Sequence, residues 1–242
     1  MTDELTPTFD EWVTYCFTQG QDDFSGTSPD GDEAANARTE KFLGMSPLLL
    51  TTYLTQLFES PSFVAKRYTD KQIAQATWFI FGHGSCYIGD MRRGDIPPEL
   101  QVRCVRSITT LYTDMFDRVC GRHGTDPDSD LRDSVEVDGA VYMMWDMDNL
   151  EGMVMFPEKG PHLVEPGIEV LEHVLLRCRT SACRVSALHG IGHIYGIHSY
   201  SGDGDKAIAA RLRAIVDAFM DRDDLPEWLR EYAAHAREGA VQ

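Results

Sequence analysis

The sequence predicts an all-α fold. Helical periodicity recurs through most of the 242 residues, clean period-two alternation over a strand's length is nearly absent, and 43% hydrophobic residues can fill a substantial core. No linker rich in Pro and Ser divides the chain, so we expect residues 1–242 to form a single domain. Pairs of antiparallel helices that cannot bury their apolar stripes alone must stack on their neighbours. This predicts stacked helix pairs in an α-solenoid or a compact helical bundle, at roughly 46–82, 98–150, 167–198 and 205–238.

The first helix is predicted over residues 8–20. Apolar side chains recur there with the spacing of one helix face, and Gly20 ends the run. The following stretch is rich in Gly, Ser, Asp and Pro, and Arg38 is the single base among residues 1–40. We therefore expect an acidic, solvated loop at about 21–40.

Capping signals mark the starts of the next two helices. Ser46 followed by Pro47 is typical of an N-cap and the first helical position. Thr69 and Gln72 have the spacing of a capping box, in which the two residues hydrogen-bond to each other's backbone. Residues 82–96, after this helix, are expected to form a loop.

The second half of the chain is also mostly helical. Its longest periodic segment runs from Pro98 to about Cys120, and a short helix is expected at 138–150. Residues 151–166 contain three prolines and two glycines and are expected to be irregular. Further helices are predicted, in chain order, at about 167–178, 182–198, 205–221 and 226–238.

The charge balance restricts the partners of the protein. Lys and Arg number 22 against 39 Asp and Glu, which gives a formal net charge of −17. Without a basic cluster there is no source for phosphate neutralisation, so nucleic acid and anionic membranes are not expected as partners. The apolar runs are far shorter than the roughly 20 residues of a membrane span, and the N-terminus is acidic where a signal peptide is basic. We expect a cytoplasmic protein.

The six cysteines are expected to be reduced, because a chain of this length needs no disulfide staples and cytosolic thiols stay reduced. No CxxC pair occurs, so the sequence gives no support for a zinc ribbon or a thioredoxin-type centre.

The segment 182–198 has the most unusual composition. Arg184 is its single fully charged residue, and apolar or small side chains occupy both faces of the predicted helix. A helix that is apolar all round belongs at the centre of a fold. Glycines 190, 192 and 196 each cost about 1 kcal/mol relative to alanine in a helix. We therefore expect another helix, or a ligand, to approach the backbone closely at these positions.

His189 and His193 lie four residues apart and share one helix face, the spacing by which a helix offers two imidazoles to a metal ion. Gly190 stands where the zincin peptidases have their catalytic Glu, which excludes that chemistry. The candidate ligands are the tetrad His83, Cys86, His189 and His193, with Cys183 or an acid such as Asp146 as other possible donors; the cofactor would be a divalent transition metal. In the alternative interpretation, both histidines are neutral core residues hydrogen-bonded to backbone or carboxylate oxygens.

This segment carries a resemblance. Ser186-Ala-Leu-His-Gly-Ile-Gly-His193 resembles a signature of the form SALHGhGH in uncharacterised bacterial all-helical proteins that are distantly similar to HEAT-type repeat proteins. The similarity extends to the segment Tyr142-Met-Met-Trp145-Asp146 and to the early helix around Trp12, so it covers most of the chain. The resemblance implies a HEAT-like helical fold and no reaction. Ile194 departs from the signature, which has an aromatic residue after the second His.

Two classes of function follow from these observations. The first is a protein-interaction scaffold whose acidic surface binds a basic protein partner, as the net charge would favour. The second is a metal-dependent enzyme or sensor that uses a buried His189/His193 pair. The first is favoured, because the sequence shows no complete set of metal ligands, no nucleophile and no general base.

Overall fold

The computed structural model describes residues 6–18, 37, 40–82, 84–121, 136–147 and 149–241. Within these ranges every regular element is a helix and no strand occurs, which confirms the predicted all-α fold. The predicted acidic loop at about 21–40 lies, apart from residues 37 and 40, outside the described residues.

The described residues contain nine helices of seven residues or more. They are α1 (Phe9–Thr18), α2 (Pro47–Glu59), α3 (Asp70–Phe81), α4 (Pro98–Leu111), α5 (Glu136–Tyr142), α6 (Pro161–Arg177), α7 (Ser181–Tyr200), α8 (Lys206–Met220) and α9 (Glu227–Arg237). Short helical segments lie between them, at Pro61–Phe63, Val64–Arg67, Tyr87–Met91, Met143–Trp145, Gly152–Met155 and Pro157–Lys159.

The predicted caps are present. The Ser46 hydroxyl accepts a hydrogen bond from the Leu49 amide at the start of α2. Thr69 and Gln72 form both bonds of the capping box at the start of α3. Each cap satisfies a backbone amide that would otherwise lack an intrahelical partner.

Two loop predictions are corrected by the structure. Residues 82–96 include the short helix Tyr87–Met91, whose Tyr87, Ile88 and Met91 are buried. Within 151–166, α6 already begins at Pro161, and Pro166 lies inside the helix. Proline is favoured at a first helical position, and the apolar stripe that α6 buries outweighs the backbone hydrogen bond lost at Pro166.

A π-helical segment extends α4. Tyr112–Phe116 follows Leu111 directly, and Asp117–Val119 completes the run up to Cys120. Gly121 then adopts a positive φ of 68°, a conformation that glycine allows without strain and that ends the helix.

Helix packing matches the predicted pairs in the C-terminal half and differs from them in the N-terminal half. α6 packs on α7 and α8 on α9, as expected. By contrast, α2 packs mainly on α4, and α3 packs mainly on α5. The apolar stripes of α2 and α3 thus find partners farther along the chain than periodicity alone indicates.

α7 lies at the centre of the packing. It contacts α5, α6, α8 and α9, and both of its faces are buried. Because a solenoid repeat contacts only its neighbours, this arrangement favours the compact bundle among the two predicted forms. None of the described helices is long and apolar enough to cross a bilayer.

Candidate functional site: an aspartate and two histidines

One group of metal-ligating side chains forms where α7 meets the end of α5. It consists of Asp146, His189 and His193, which offer donor atoms that all lie within 4.8 Å of one another. His189 and His193 lie about one turn apart on the same face of α7. Asp146 follows the turn Met143–Trp145 that continues α5. The site therefore depends on the contact between these two helices.

A hydrogen-bonded network fixes the backbone before Asp146. The Trp145 indole Nε1 donates to the Tyr112 hydroxyl at 3.1 Å, and that hydroxyl lies 2.8 Å from Ser186 Oγ on α7. Ser186 Oγ also donates to the carbonyl oxygen of Val141 on α5. All of these groups are buried, so the network holds α5, α7 and the π-helical segment in one arrangement.

Each carboxylate oxygen of Asp146 lies near one of the two imidazoles. Asp146 Oδ2 lies 3.2 Å from His189 Nε2, and Asp146 Oδ1 lies 3.4 Å from His193 Nδ1. The ring centroids of the two histidines are 4.6 Å apart. Three donor groups therefore converge on one small volume.

The far side of the His189 ring is held by tyrosines. His189 Nδ1 lies 2.9 Å from the Tyr232 hydroxyl on α9, and that hydroxyl lies 3.4 Å from the Tyr142 hydroxyl on α5. The Tyr142 ring also contacts the His189 ring, with centroids 4.6 Å apart. A partner at Nδ1 fixes the orientation of the ring and directs Nε2 toward Asp146, as outer-shell partners do for metal-binding histidines.

Solvent reaches the group from one side. The His189 side chain is 1% exposed, whereas those of His193 and Asp146 are 30% and 31% exposed. The Nε2 atom of His193 is itself buried and has no hydrogen-bond partner among the described residues. The group thus has a buried inner wall and an open outer side.

Gly190 allows this contact to form. A Cβ atom at Gly190 would lie 2.6 Å from Trp145 Cβ and 2.9 Å from Trp145 Cγ. Gly192 is equally close to the side chain of Val241, and Gly196 faces the backbone of Gly239. The predicted close approach to the glycines of this helix is therefore confirmed, and it is made by protein.

His198, on the same helix, is a buried histidine of the ordinary kind. Its Nε2 lies 2.8 Å from the carbonyl oxygen of Val154, and its Nδ1 accepts a hydrogen bond from the Asp205 amide at 3.1 Å. Both ring nitrogens have backbone partners, with Nδ1 accepting from an amide and Nε2 donating to a carbonyl oxygen. His189 and His193 face a carboxylate and each other instead.

The structure brings together three of the residues considered from sequence: His189, His193 and Asp146. Cys183 belongs to a different group, with Asp117 and Cys178. Cys86 is exposed, precedes the helix Tyr87–Met91 with a positive φ of 60°, and does not belong to the Asp146 group. His83 lies outside the described residues.

Tyr142 and Tyr232 were not predicted as part of the site. Tyr232 is 43 residues from His189 along the chain, and nothing in the local sequence pattern of α9 links the two. Only the packing of α9 on α7 places the hydroxyl at the ring.

Comparison with known proteins adds no assignment to this geometry. No protein-family model, curated protein or solved structure matches the chain. The resemblance to the SALHGhGH signature therefore stays a prediction.

Proposed function

We propose that this protein binds a divalent transition-metal cation through Asp146, His189 and His193, at a centre whose remaining coordination positions are open to water or a small ligand. The donor separations carry the proposal. Two donors at about 2.0–2.1 Å from one tetrahedral metal ion lie roughly 3.3 Å apart. The observed separations, 3.2 and 3.4 Å, fit that value.

Hydrogen bonding alone accounts less well for these distances. A charge-assisted hydrogen bond between an imidazolium and a carboxylate is typically about 2.7–2.9 Å long. Both observed separations exceed that range. A cation between the donors would account for two contacts that both exceed the length of such a hydrogen bond.

The ligand set favours a borderline cation with accessible chemistry. Two imidazoles and one carboxylate suit Zn²⁺ and the other divalent transition metals more than Mg²⁺ or Ca²⁺, which prefer oxygen ligands alone. Three protein ligands with an open outer side are typical of catalytic metal sites, whereas structural sites are closed by four. A metal ion in such a site lowers the pKa of a bound water and supplies a nucleophile for hydrolysis.

Metal analysis of protein purified without a His tag tests the proposal. We expect His193→Ala and Asp146→Asn each to lower the bound transition metal by about one equivalent per chain, because each removes one of three ligands. His235→Ala is the matched control, since His235 is exposed on α9 and lies outside the group. Circular dichroism checks that each variant is folded.

A milder variant tests the outer shell. Tyr232→Phe removes the hydroxyl at His189 Nδ1 and leaves all three ligands in place. Loss of such a partner typically weakens metal binding about 10–100-fold. Wild-type protein that is folded, binds no Zn²⁺ or Co²⁺ in titration and carries none after purification would refute the proposal and identify the group as a metal-free carboxylate–imidazole cluster.

The scaffold hypothesis stays a prediction. It rests on the net charge of −17, which would steer a basic protein partner toward the surface. It does not compete with the metal centre for residues, because the three ligands lie at a helix contact and not on an extended acidic face.

A further inference from the structure

Three of the six cysteines meet at a second place in the bundle. Cys120 ends the run that begins with α4, Cys178 follows α6, and Cys183 lies in the first turn of α7. All three are buried. The donor atoms of Cys178 and Cys183 lie within 4.8 Å of each other, and the Cys120 thiol is close enough to Cys183 for the two thiols to shift each other's pKa.

A carboxylate lies beside two of these thiols. The donor atoms of Asp117, Cys178 and Cys183 all lie within 4.8 Å of one another. Asp117 Oδ1 accepts hydrogen bonds from the amides of Arg179 and Thr180, each at 2.7 Å. These bonds fix the carboxylate beside the thiols and leave lone pairs on Oδ2, whose contact with Arg179 Nε is long, at 3.4 Å.

The arrangement differs from that of an ordinary core cysteine. A buried thiol usually packs as a small hydrophobe among apolar neighbours. Here two thiols, those of Cys178 and Cys183, share one position with Asp117, and a second buried carboxylate, that of Asp138, lies near Cys120. A cation that takes thiolate ligands would balance this concentration of potential anions.

We infer that Asp117, Cys178 and Cys183 form a buried site for a thiophilic divalent cation of the Zn²⁺ class. Sulfurs at about 2.3 Å from one tetrahedral zinc ion lie roughly 3.8 Å apart, within the 4.8 Å limit that the donor atoms of Asp117, Cys178 and Cys183 satisfy. A small shift of the buried Cys120 thiol toward these donors would add a fourth ligand, and four protein ligands are typical of a structural site. The site would tie the end of the α4 run to the connection between α6 and α7.

This site is independent of the Asp146 centre, because the two share no ligand and differ in donor chemistry. Thiolate ligands give a ligand-to-metal charge-transfer band with Cd²⁺ in the ultraviolet, and histidine and carboxylate ligands do not. Titration of the reduced, untagged full-length chain with Cd²⁺ therefore separates cysteine ligands from the Asp146 centre, and Cys86→Ala measures the contribution of the exposed Cys86 thiol.

We expect the wild-type protein to develop a thiolate–Cd²⁺ band that saturates at about one equivalent. Cys178→Ala and Cys183→Ala should each lower its intensity by about a third to a half, and Asp146→Asn should leave it unchanged. Cys104→Ala is the matched control, since Cys104 is also buried but belongs to neither group.

The titration of wild-type protein needs no variant, so a folding defect in one of them cannot obscure the result. A folded wild-type chain that shows no thiolate band would overturn the inference. So would a disulfide between Cys178 and Cys183, or between Cys120 and Cys183, found by mass spectrometry in protein purified without reductant, because a disulfide sulfur is not a thiolate ligand.

Discussion

At the scale of single residues, Gly190 decides whether α7 can approach the end of α5. Its missing side chain leaves the space that the Trp145 side chain fills, and the residue after Trp145 is the proposed ligand Asp146. A helix-destabilising residue is therefore kept at a position where alanine would be the better helix former. The helix propensity favours alanine at this position, but the tight contact with Trp145 requires glycine. The tertiary contact therefore determines which residue stands at position 190.

Replacing Gly190 by alanine should lower the free energy of unfolding. Overpacking a tight contact typically costs about 1–3 kcal/mol, which exceeds the gain of about 1 kcal/mol in helix propensity. Chemical denaturation measures the change. Because Trp145 must move, metal affinity at Asp146 should fall as well.

Gly89→Ala is the control for Gly190→Ala. Gly89 is exposed in the helix Tyr87–Met91, and no atom would lie within 4 Å of an added Cβ. This variant should be neutral or gain up to about 1 kcal/mol in stability. A Gly190→Ala protein as stable as Gly89→Ala would show that the contact with Trp145 is not tight.

The candidate site was only partly predictable from these residues. His189 and His193 follow from their spacing on a helix, because a helix places residues four apart on one face. Asp146 was one of several possible donors, and its choice depends on how α5 packs on α7. Tyr232 carries no signal in the sequence at all, since its role arises from tertiary contact alone.

At the scale of elements, the capping signals were the most reliable guide to helix starts. Thr69 and Gln72 exchange hydrogen bonds of 3.3 Å, from the Gln72 amide to the Thr69 hydroxyl, and 3.0 Å, from the Thr69 amide to Gln72 Oε1. These bonds are local, so sequence alone fixes them. The partners of α2 and α3 are set by long-range packing, and sequence periodicity did not identify them.

Thr69→Ala should destabilise the protein by about 1 kcal/mol, because it removes an N-cap at the start of α3. Thr52→Ala is the matched control: Thr52 is exposed within α2, and its hydroxyl bonds only to the Leu48 carbonyl oxygen of the preceding turn. Alanine is the better helix former there, so this variant should be neutral or slightly stabilising. Equal thermal midpoints for the two variants would contradict the contribution of the cap.

The errors in the loop regions have a common cause. The glycines and prolines of residues 82–96 and 151–166 are typical of turns and therefore predict loops there. In the structure, apolar side chains such as Ile88 and Leu163 are nevertheless buried within short or proline-containing helices. Burial against the rest of the bundle offsets the local cost, and single-sequence patterns do not report it.

At the scale of the whole molecule, the bundle buries thiol and phenol groups and thereby raises their pKa values. Burial raises the pKa of the Cys104 thiol from 9.0 to about 12. It raises the pKa of the Cys16 thiol and of the Tyr87 phenol as well. In each case the protonated form is favoured in the folded state, because the interior disfavours the charged form.

Stability should therefore fall in alkaline solution. The folded state binds these protons more tightly than the unfolded chain, so their contribution is complete below pH about 9 and is lost as the pH rises toward about 12. Thermal denaturation followed by circular dichroism, across this range, measures the loss. Cys104→Ala should weaken the dependence, whereas a thermal midpoint that stays constant up to pH about 11 would rule out this contribution.

The π-helical segment Tyr112–Phe116 connects the two proposed sites. An extra residue in one turn rotates every side chain beyond it by about 100° relative to an uninterrupted α-helix. Tyr112, whose hydroxyl accepts the hydrogen bond from Trp145, lies at the start of this segment, and Asp117 and Cys120 lie beyond it. Regular α-helical winding of the same residues would turn Asp117 and Cys120 by about 100° away from their present direction, whereas deleting one residue of the segment would straighten the helix and keep both side chains, and the Tyr112 anchor, in place.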